Sequence, residues 1–499
     1  MEKLLKLVAT LIFAFLILWG CKKEDPVPEP EVIPEATDVN KFIFNGLATY
    51  YLWEDKIPAF QEPKYENKDS LNKFLNKYKD PEALFNSLLY NKGVVDKFSL
   101  IFDNSKEVDD WLAGISESVG MDFKLYYIRS GSTDLVGIVR YVFKNSPAAK
   151  AGIKRGDIFL TIDGQQLTYT NYQTLLFTKK TYTMGMASFN GAIFSLNGKN
   201  ITMTAVRLLE NPVHLDTILN VNGIKVGYLV YNAFTNTYDS TLNTSHDIIL
   251  NNAFGKFING GITKLIVDLR YNGGGSITTT GYLASMIYST NSQLIFAKTF
   301  YNKYLYDYYK GAYGASYFND YFKTDIAKTS QTPLTKINSL GLNEVYFITT
   351  SETASAPELL INGLKPYLSV KQVGSNTYGK NVGSVTIKDW IDNNGTVNPK
   401  HTWAMQPIIL KISNSQDFGE YENGLAPNIN AQEYPSDLRP FGDPNEDLLK
   451  ACLDNIKGGK SARIYTGPEL KPFKSSDEIS PFSKTMFIDN KPLQQLHRP

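Results

Sequence analysis

Three separated stretches hold residues whose types and spacing could do chemistry. Thr353-Ala354-Ser355-Ala356-Pro357-Glu358 follows an apolar run, Val345-Tyr346-Phe347-Ile348, and precedes Leu359-Leu360-Ile361. A serine at a sharp strand-to-helix turn can expose its hydroxyl beside free backbone N–H groups, so a nucleophile and an oxyanion hole can coincide there. The same residues make a complete S-x-x-E capping box with proline in the first turn, so Ser355 fits a helix N-cap equally well. Lys380 lies 25 residues further on, in Thr377-Tyr378-Gly379-Lys380. A neutral lysine can take the proton of a serine hydroxyl. For that, its pKa must fall from about 10.4 to near 7.5, at a cost of roughly 4 kcal/mol that burial in an apolar pocket can impose. The third stretch, Arg270-Tyr271-Asn272-Gly273-Gly274-Gly275, brings bare backbone close to whatever it faces.

Other chemistries fit these residues less well. Gly374-Ser375-Asn376-Thr377-Tyr378-Gly379-Lys380 has nucleotide-loop spacing, but Asn381 stands where a magnesium-binding hydroxyl is needed, and Val382 to Ile387 has strand character instead of the required helix. The four histidines are His214, His246, His401 and His497. None sits in a recognisable motif with Ser355; His246 falls in the predicted α/β region and could come near it, but Lys380 is the stronger candidate for the base.

The elements that must position these groups follow from patterning. Val226 to Tyr231 and Leu265 to Leu269 are nearly continuous apolar strands, separated by an amphipathic helix around Ile248 to Phe257, so a mostly parallel sheet covered on both faces is expected. Residues 38 to 112 have helical periodicity, with Asp38 as a cap, and look self-contained. From Ser118 the pattern changes to short strands, with a helix capped by Ser146 and closed by Gly152. Residues 166 to 222 give no clear pattern.

At 499 residues the chain is long enough for about three domains. Its 51 basic and 50 acidic residues leave a net charge of +1, which offers no field for gripping nucleic acid. Lys3 and Lys6, followed by an apolar stretch from Leu7 to Leu18, form an export signal over residues 1–20, too short for a confident membrane span. Leu18-Trp19-Gly20-Cys21 resembles a bacterial lipobox. It implies a lipid on Cys21 and a proline-rich tether over 21–37, and hence a protein held at a membrane of the bacterial cell envelope, facing the periplasm or the cell surface. The residues alone also allow simple secretion or an uncleaved anchor. Cys452 is the only other cysteine, so an acylated Cys21 leaves no internal disulfide.

Ser146 to Gln165 resembles a PDZ domain. That resemblance implies that Val119, Gly120, Met121, Asp122 and Phe123 present backbone to a peptide that adds as a β-strand. The three chemical stretches together, in that order, resemble peptidase family S41, the carboxyl-terminal processing peptidases, and Gly424-Leu425-Ala426-Pro427-Asn428-Ile429 resembles that family's closing segment. The resemblance implies an α/β protease domain of the ClpP/crotonase type over 222–458, with an inserted or preceding PDZ β-domain over 115–210, a helical N-terminal domain over 38–112 and a tail over 459–499. It implies Ser355 as nucleophile and Lys380 as general base. The backbone N–H of Ala356 and of Gly274 or Gly275 would form the oxyanion hole. Neither a metal nor an organic cofactor is implied, and the partner is a polypeptide. Two positions depart from the family pattern: Pro357 replaces a frequent second serine, and Ser384 stands where a lysine-orienting glutamine is common. If Lys380 is poorly held as a result, the alternative is a catalytically silent PDZ lipoprotein that only binds peptides.

Overall fold

The computed structural model describes residues 32–392, 394–459, 469–476, 478 and 483–488; the expected export signal, Cys21 and His497 lie outside them. Among the described residues no helix is long and apolar enough to cross a membrane.

Helix α1 (Asp38–Tyr50) is capped by Thr37, whose side chain accepts from Asn40 N, so Asp38 sits in the first turn and is not the cap. Short helices follow at Lys68–Leu75, Pro81–Ser87 and Ser105–Leu112. Helices this short are marginal alone, and the region is not self-contained. Phe42, Ile43 and Leu47 share one apolar core with Leu229, Phe254 and Leu360. Asn302 Nδ2 donates to the carbonyls of Thr49 and Tyr51, both at 3.0 Å. Leu100–Phe102 pairs with Ala404–Gln406. The helical region is therefore one layer of the larger unit.

A second sheet contains β1 (Met121–Tyr127), β2 (Leu135–Val142), β3 (Ile158–Ile162), β4 (Thr181–Phe189) and β5 (Phe194–Thr204) in that spatial order. Between β2 and β3, Ser146 caps a short helix, accepting from Ala149 N at 3.1 Å. The patternless stretch from 166 supplies the β4–β5 hairpin. Paired threonine hydroxyls (Thr181 with Thr204, Thr183 with Thr202) decorate one face of the hairpin, while Tyr182, Met184, Ile201 and Met203 alternate with them and bury the other face in the core.

The remainder is α/β. Strands β6 (Val213–Val221), β7 (Ile224–Tyr231), β8 (Lys264–Asp268), β11 (Glu344–Thr349) and β12 (Ser369–Gly374) lie side by side with Ile429–Asn430; all but β6 run parallel. The sheet thus starts one strand before residue 222. Helices α2 (His246–Gly260), α3 (Ile277–Ile287) and α4 (Ala356–Leu364) contribute Phe254, Leu283 and Leu360 to the core on one face. Helix α5 (Asp447–Ile456) covers the other face with Leu448, Leu449 and Leu453.

A smaller sheet has the order β9 (Gly275–Ser276), β16 (Met486–Phe487), β13 (Val382–Ser384), β14 (Ile408–Asn414) and β10 (Ile295–Tyr301), ending at Asn319–Tyr321. Another strand of the tail, β15 (Pro472–Ser475), pairs with β1.

Candidate active site

Ser355 closes the turn between β11 and α4 and is fully buried, with φ +66° and ψ −112°. A non-glycine residue in such a conformation costs on the order of 1–3 kcal/mol and persists only where its surroundings enforce it. The enforcement is visible. Ala354 N donates to Asn272 O at 3.1 Å, Thr353 Oγ1 donates to Leu269 O at 2.8 Å, and Tyr378 N donates to Thr353 O at 2.9 Å. The capping box is present, with Ser355 N donating to Glu358 Oε2 at 2.7 Å.

Glu358 does more than cap. It also accepts from Gly379 N at 2.7 Å and from Lys380 N at 2.8 Å, and Thr377 Oγ1 donates to it as well. One buried carboxylate therefore ties the serine turn to the lysine loop. Burial raises its pKa, while these hydrogen bonds pull it back down. The S-x-x-E spacing gave a signal for the cap, but nothing local to the sequence marked the second bond set.

Lys380 is 1% exposed. Its ammonium lies 4.3 Å from the centre of the Phe98 ring. Burial lowers its pKa to about 7, against a smaller upward pull from Asp96 and Glu358. Ser384 Oγ turns elsewhere: it donates to Met486 O at 3.1 Å and accepts from Gln406 Nε2 at 3.2 Å. Phe98, from the helical region, was not foreseen as a neighbour of the lysine, because its position depends on long-range packing.

In the glycine loop, Gly274 has φ +127° and Gly275 φ +132°. A Cβ on Gly274 would lie 2.4 Å from Thr485 O and 2.9 Å from Ser355 Cβ; one on Gly275 would lie 2.1 Å from Phe234 O. Only glycine fits either position. The two amides differ in use. Gly274 N donates to Asn272 Oδ1 at 2.9 Å within its own loop, whereas Gly275 N donates to Thr485 O at 2.6 Å. Ala356, the third expected oxyanion donor, is fully buried at the first position of α4.

The tail, which had no legible role in the sequence, occupies both expected peptide sites. Ser355 Oγ donates to Lys484 O at 3.0 Å and Lys380 Nζ donates to the same oxygen at 2.8 Å. Strand β16 continues between β9 and β13, parallel to both, and Ile488 N donates to Ser384 O at 3.1 Å. At the other site β15 runs antiparallel to β1. Ser476 N donates to Phe123 O at 2.8 Å, Phe123 N donates to Ser476 Oγ at 3.1 Å, and Ser476 Oγ donates to Asp122 Oδ2 at 2.9 Å.

Of the remaining expected peptide-binding residues, Val119 and Met121 are buried in the core of the β1–β5 sheet, and Gly120 O accepts from Phe143 N at 2.9 Å and Ser146 Oγ at 3.1 Å. Asp122 forms an ion pair with Arg140, and Arg140 and Lys124 both reach Glu352, three residues before Ser355. The PDZ-like sheet is thus clamped to the serine turn by buried charges. The described histidines are occupied elsewhere: His246 Nδ1 pairs with Thr235 Oγ1 at 2.7 Å and burial lowers its pKa to about 4, while His401 pairs with Asp389 at 3.0 Å. Burial likewise lowers His214 to about 4.

Three family models match parts of this chain. The sequence model of Peptidase family S41 matches residues 225–406, that of the Peptidase S41 N-terminal domain residues 38–100, and that of the PDZ domain residues 138–177. A Staphylococcus aureus protein named "Probable CtpA-like serine protease" is 24% identical over 365 residues, covering 68% of this chain and 62% of its own length. A Staphylococcus saprophyticus protein of the same name is 23% identical over 251 residues, covering 49% of this chain and 42% of its own length. The chain therefore spans less than two thirds of these relatives. A Bacteroides fragilis crystal structure carrying the designation S41 protease superposes with a TM-score of 0.63 at 25% identity, covering 86% of this chain and 99% of that one.

Proposed function

Because the chain belongs to peptidase family S41, we propose that it is a serine endopeptidase acting on exported polypeptides through a Ser355–Lys380 dyad. Neutral Lys380 takes the proton of Ser355 Oγ as that oxygen attacks the scissile carbonyl carbon. The backbone amides of Ala356 and of the glycine loop receive the developing oxyanion. The C–N bond then breaks, the lysine ammonium returns the proton to the leaving amine, and water hydrolyses the acyl-enzyme. No cofactor takes part. A substrate segment adds as a strand to β1 of the PDZ domain, and lipid on Cys21 holds the enzyme at the envelope membrane.

The observation that carries this reading is the convergence of Ser355 Oγ and Lys380 Nζ on one peptide carbonyl, that of Lys484. The direction of the Ser384 hydroxyl, toward Met486, favours one second reading, a silent peptide-binding protein whose lysine lacks an orienting partner. The purified protein assayed on unfolded polypeptide beside Ser355→Ala and Lys380→Ala decides between them. The protease reading expects cleavage by wild type alone. Equal rates for wild type and Ser355→Ala, with peptide still bound by all three, would leave only the binding protein.

A further inference from the structure

We propose that residues 469–476 and 483–488 form a built-in polypeptide ligand that closes both substrate sites at once and must be displaced before a substrate can be cut. This rests on the dyad reading for what is inhibited, but the occupancy itself stands on independent contacts. At the PDZ edge, β15 makes the antiparallel backbone bonds that an added peptide strand would make, with Tyr127 N donating to Lys471 O at 3.0 Å and Ser476 N donating to Phe123 O at 2.8 Å. In the cleft, β16 completes a sheet between the glycine loop and the strand of Ser384. Backbone ladders tolerate almost any side chain, so this segment and a substrate compete for the same edges.

The pose over the dyad is that of a bound but uncut peptide. Lys484 O receives hydrogen bonds from both the serine hydroxyl and the lysine amine, so the serine proton points at the carbonyl and not at the base. Gly275 N, one of the two glycine-loop amides, is taken by the next carbonyl, that of Thr485. Lys484 itself is held at φ +64°, a conformation that an extended scissile residue would not adopt. Met486 and Phe487 anchor the segment, at 0% and 7% exposure.

The test uses the full chain. A fluorescent synthetic peptide with the sequence Pro472 to Ile488 is titrated into Ser355→Ala and into Ser355→Ala with Met486→Asp, while wild type and Met486→Asp alone are assayed on labelled unfolded casein. If the sites are open in about one molecule in ten, freeing them tightens peptide binding about tenfold, and casein hydrolysis rises by a similar factor. Hydrogen exchange on unmodified wild type guards against a misfolded variant: the amides of Gly275 and Ile488 should exchange well before those of Val267 and Phe347. Protection of all four to the same degree, or peptide binding unchanged by Met486→Asp, would make the segment a permanent structural strand and overturn the proposal. If peptide binding tightens but no form hydrolyses casein, the segment remains the occupant and it is the dyad reading that fails.

Discussion

As the proposed general base, Lys380 carries two opposed demands. Its neutral form is what a base needs, and burial supplies it by lowering the pKa from 10.5 to about 7. The fold bears the cost: burying the charged form at neutral pH amounts to roughly 5 kcal/mol of lost stability. The penalty is complete below about pH 7 and fades as pH rises toward the unfolded lysine's value, because in that window the unfolded chain binds the extra proton. Lys380→Met should therefore abolish hydrolysis yet be more stable than wild type at pH 6, with the gap in melting temperature closing as pH approaches 10. Wild-type activity should rise with pH through an apparent pKa near 7, readable from a rate profile. Full activity in Lys380→Met would move the base elsewhere.

At the scale of elements, the site is a junction of three turns, and Glu358 holds two of them. It receives Ser355 N, Gly379 N and Lys380 N. Glu358→Gln turns one acceptor oxygen into a donor that faces backbone N–H groups, at a cost of about 1–3 kcal/mol per mismatched group. We expect a lower melting temperature and a fall in kcat with KM little changed, because the dyad shifts while the peptide edges stay. A change confined to KM would contradict this role. The third turn is fixed by sterics. Gly275→Ala drives a Cβ into Phe234 O and demands φ +132° from a residue with a side chain, so circular dichroism melts should show a loss of a few kcal/mol. Labelling of Ser355 by a fluorophosphonate should be slow in that variant.

Across the whole molecule, buried charges set how the layers meet. Arg140 on β2 pairs with Asp122 and with Glu352 of the serine turn. Arg270, 1% exposed after β8, pairs with Asp268, Glu433 and Glu446. Arg155 reaches the same Glu433 from the PDZ sheet, and the two arginines hold that carboxyl down to about pKa 2. Removing one partner of such a cluster leaves uncompensated buried charge and typically costs about 3–5 kcal/mol. Arg140→Met should thus lower the urea midpoint and also slow hydrolysis of long polypeptides, since both the PDZ orientation and the Glu352 loop depend on it. A variant as stable and as active as wild type would show that the clamp is dispensable.

The division between chain and fold follows from range. Apolar runs and a capping box are local patterns, so the parallel strands, the serine turn and the glycine loop were legible from residues a few positions apart. That Ser355 and Lys380 belong to one site was suggested only by the order and spacing of three motifs, because no local rule connects positions 25 apart. Contacts that close over longer distances left no such trace. Phe98 under the lysine, Glu358 bridging two turns, and the helical region fused into the main core arise from packing, which depends on shape and not on neighbours in sequence. The tail is the clearest case. Its strands are two and four residues long, below any readable periodicity, and they exist because β1, β9 and β13 offer unpaired backbone edges. The sequence alone determined a serine and a lysine in the right order. Only the tertiary structure decided that a carbonyl of the chain itself sits between them.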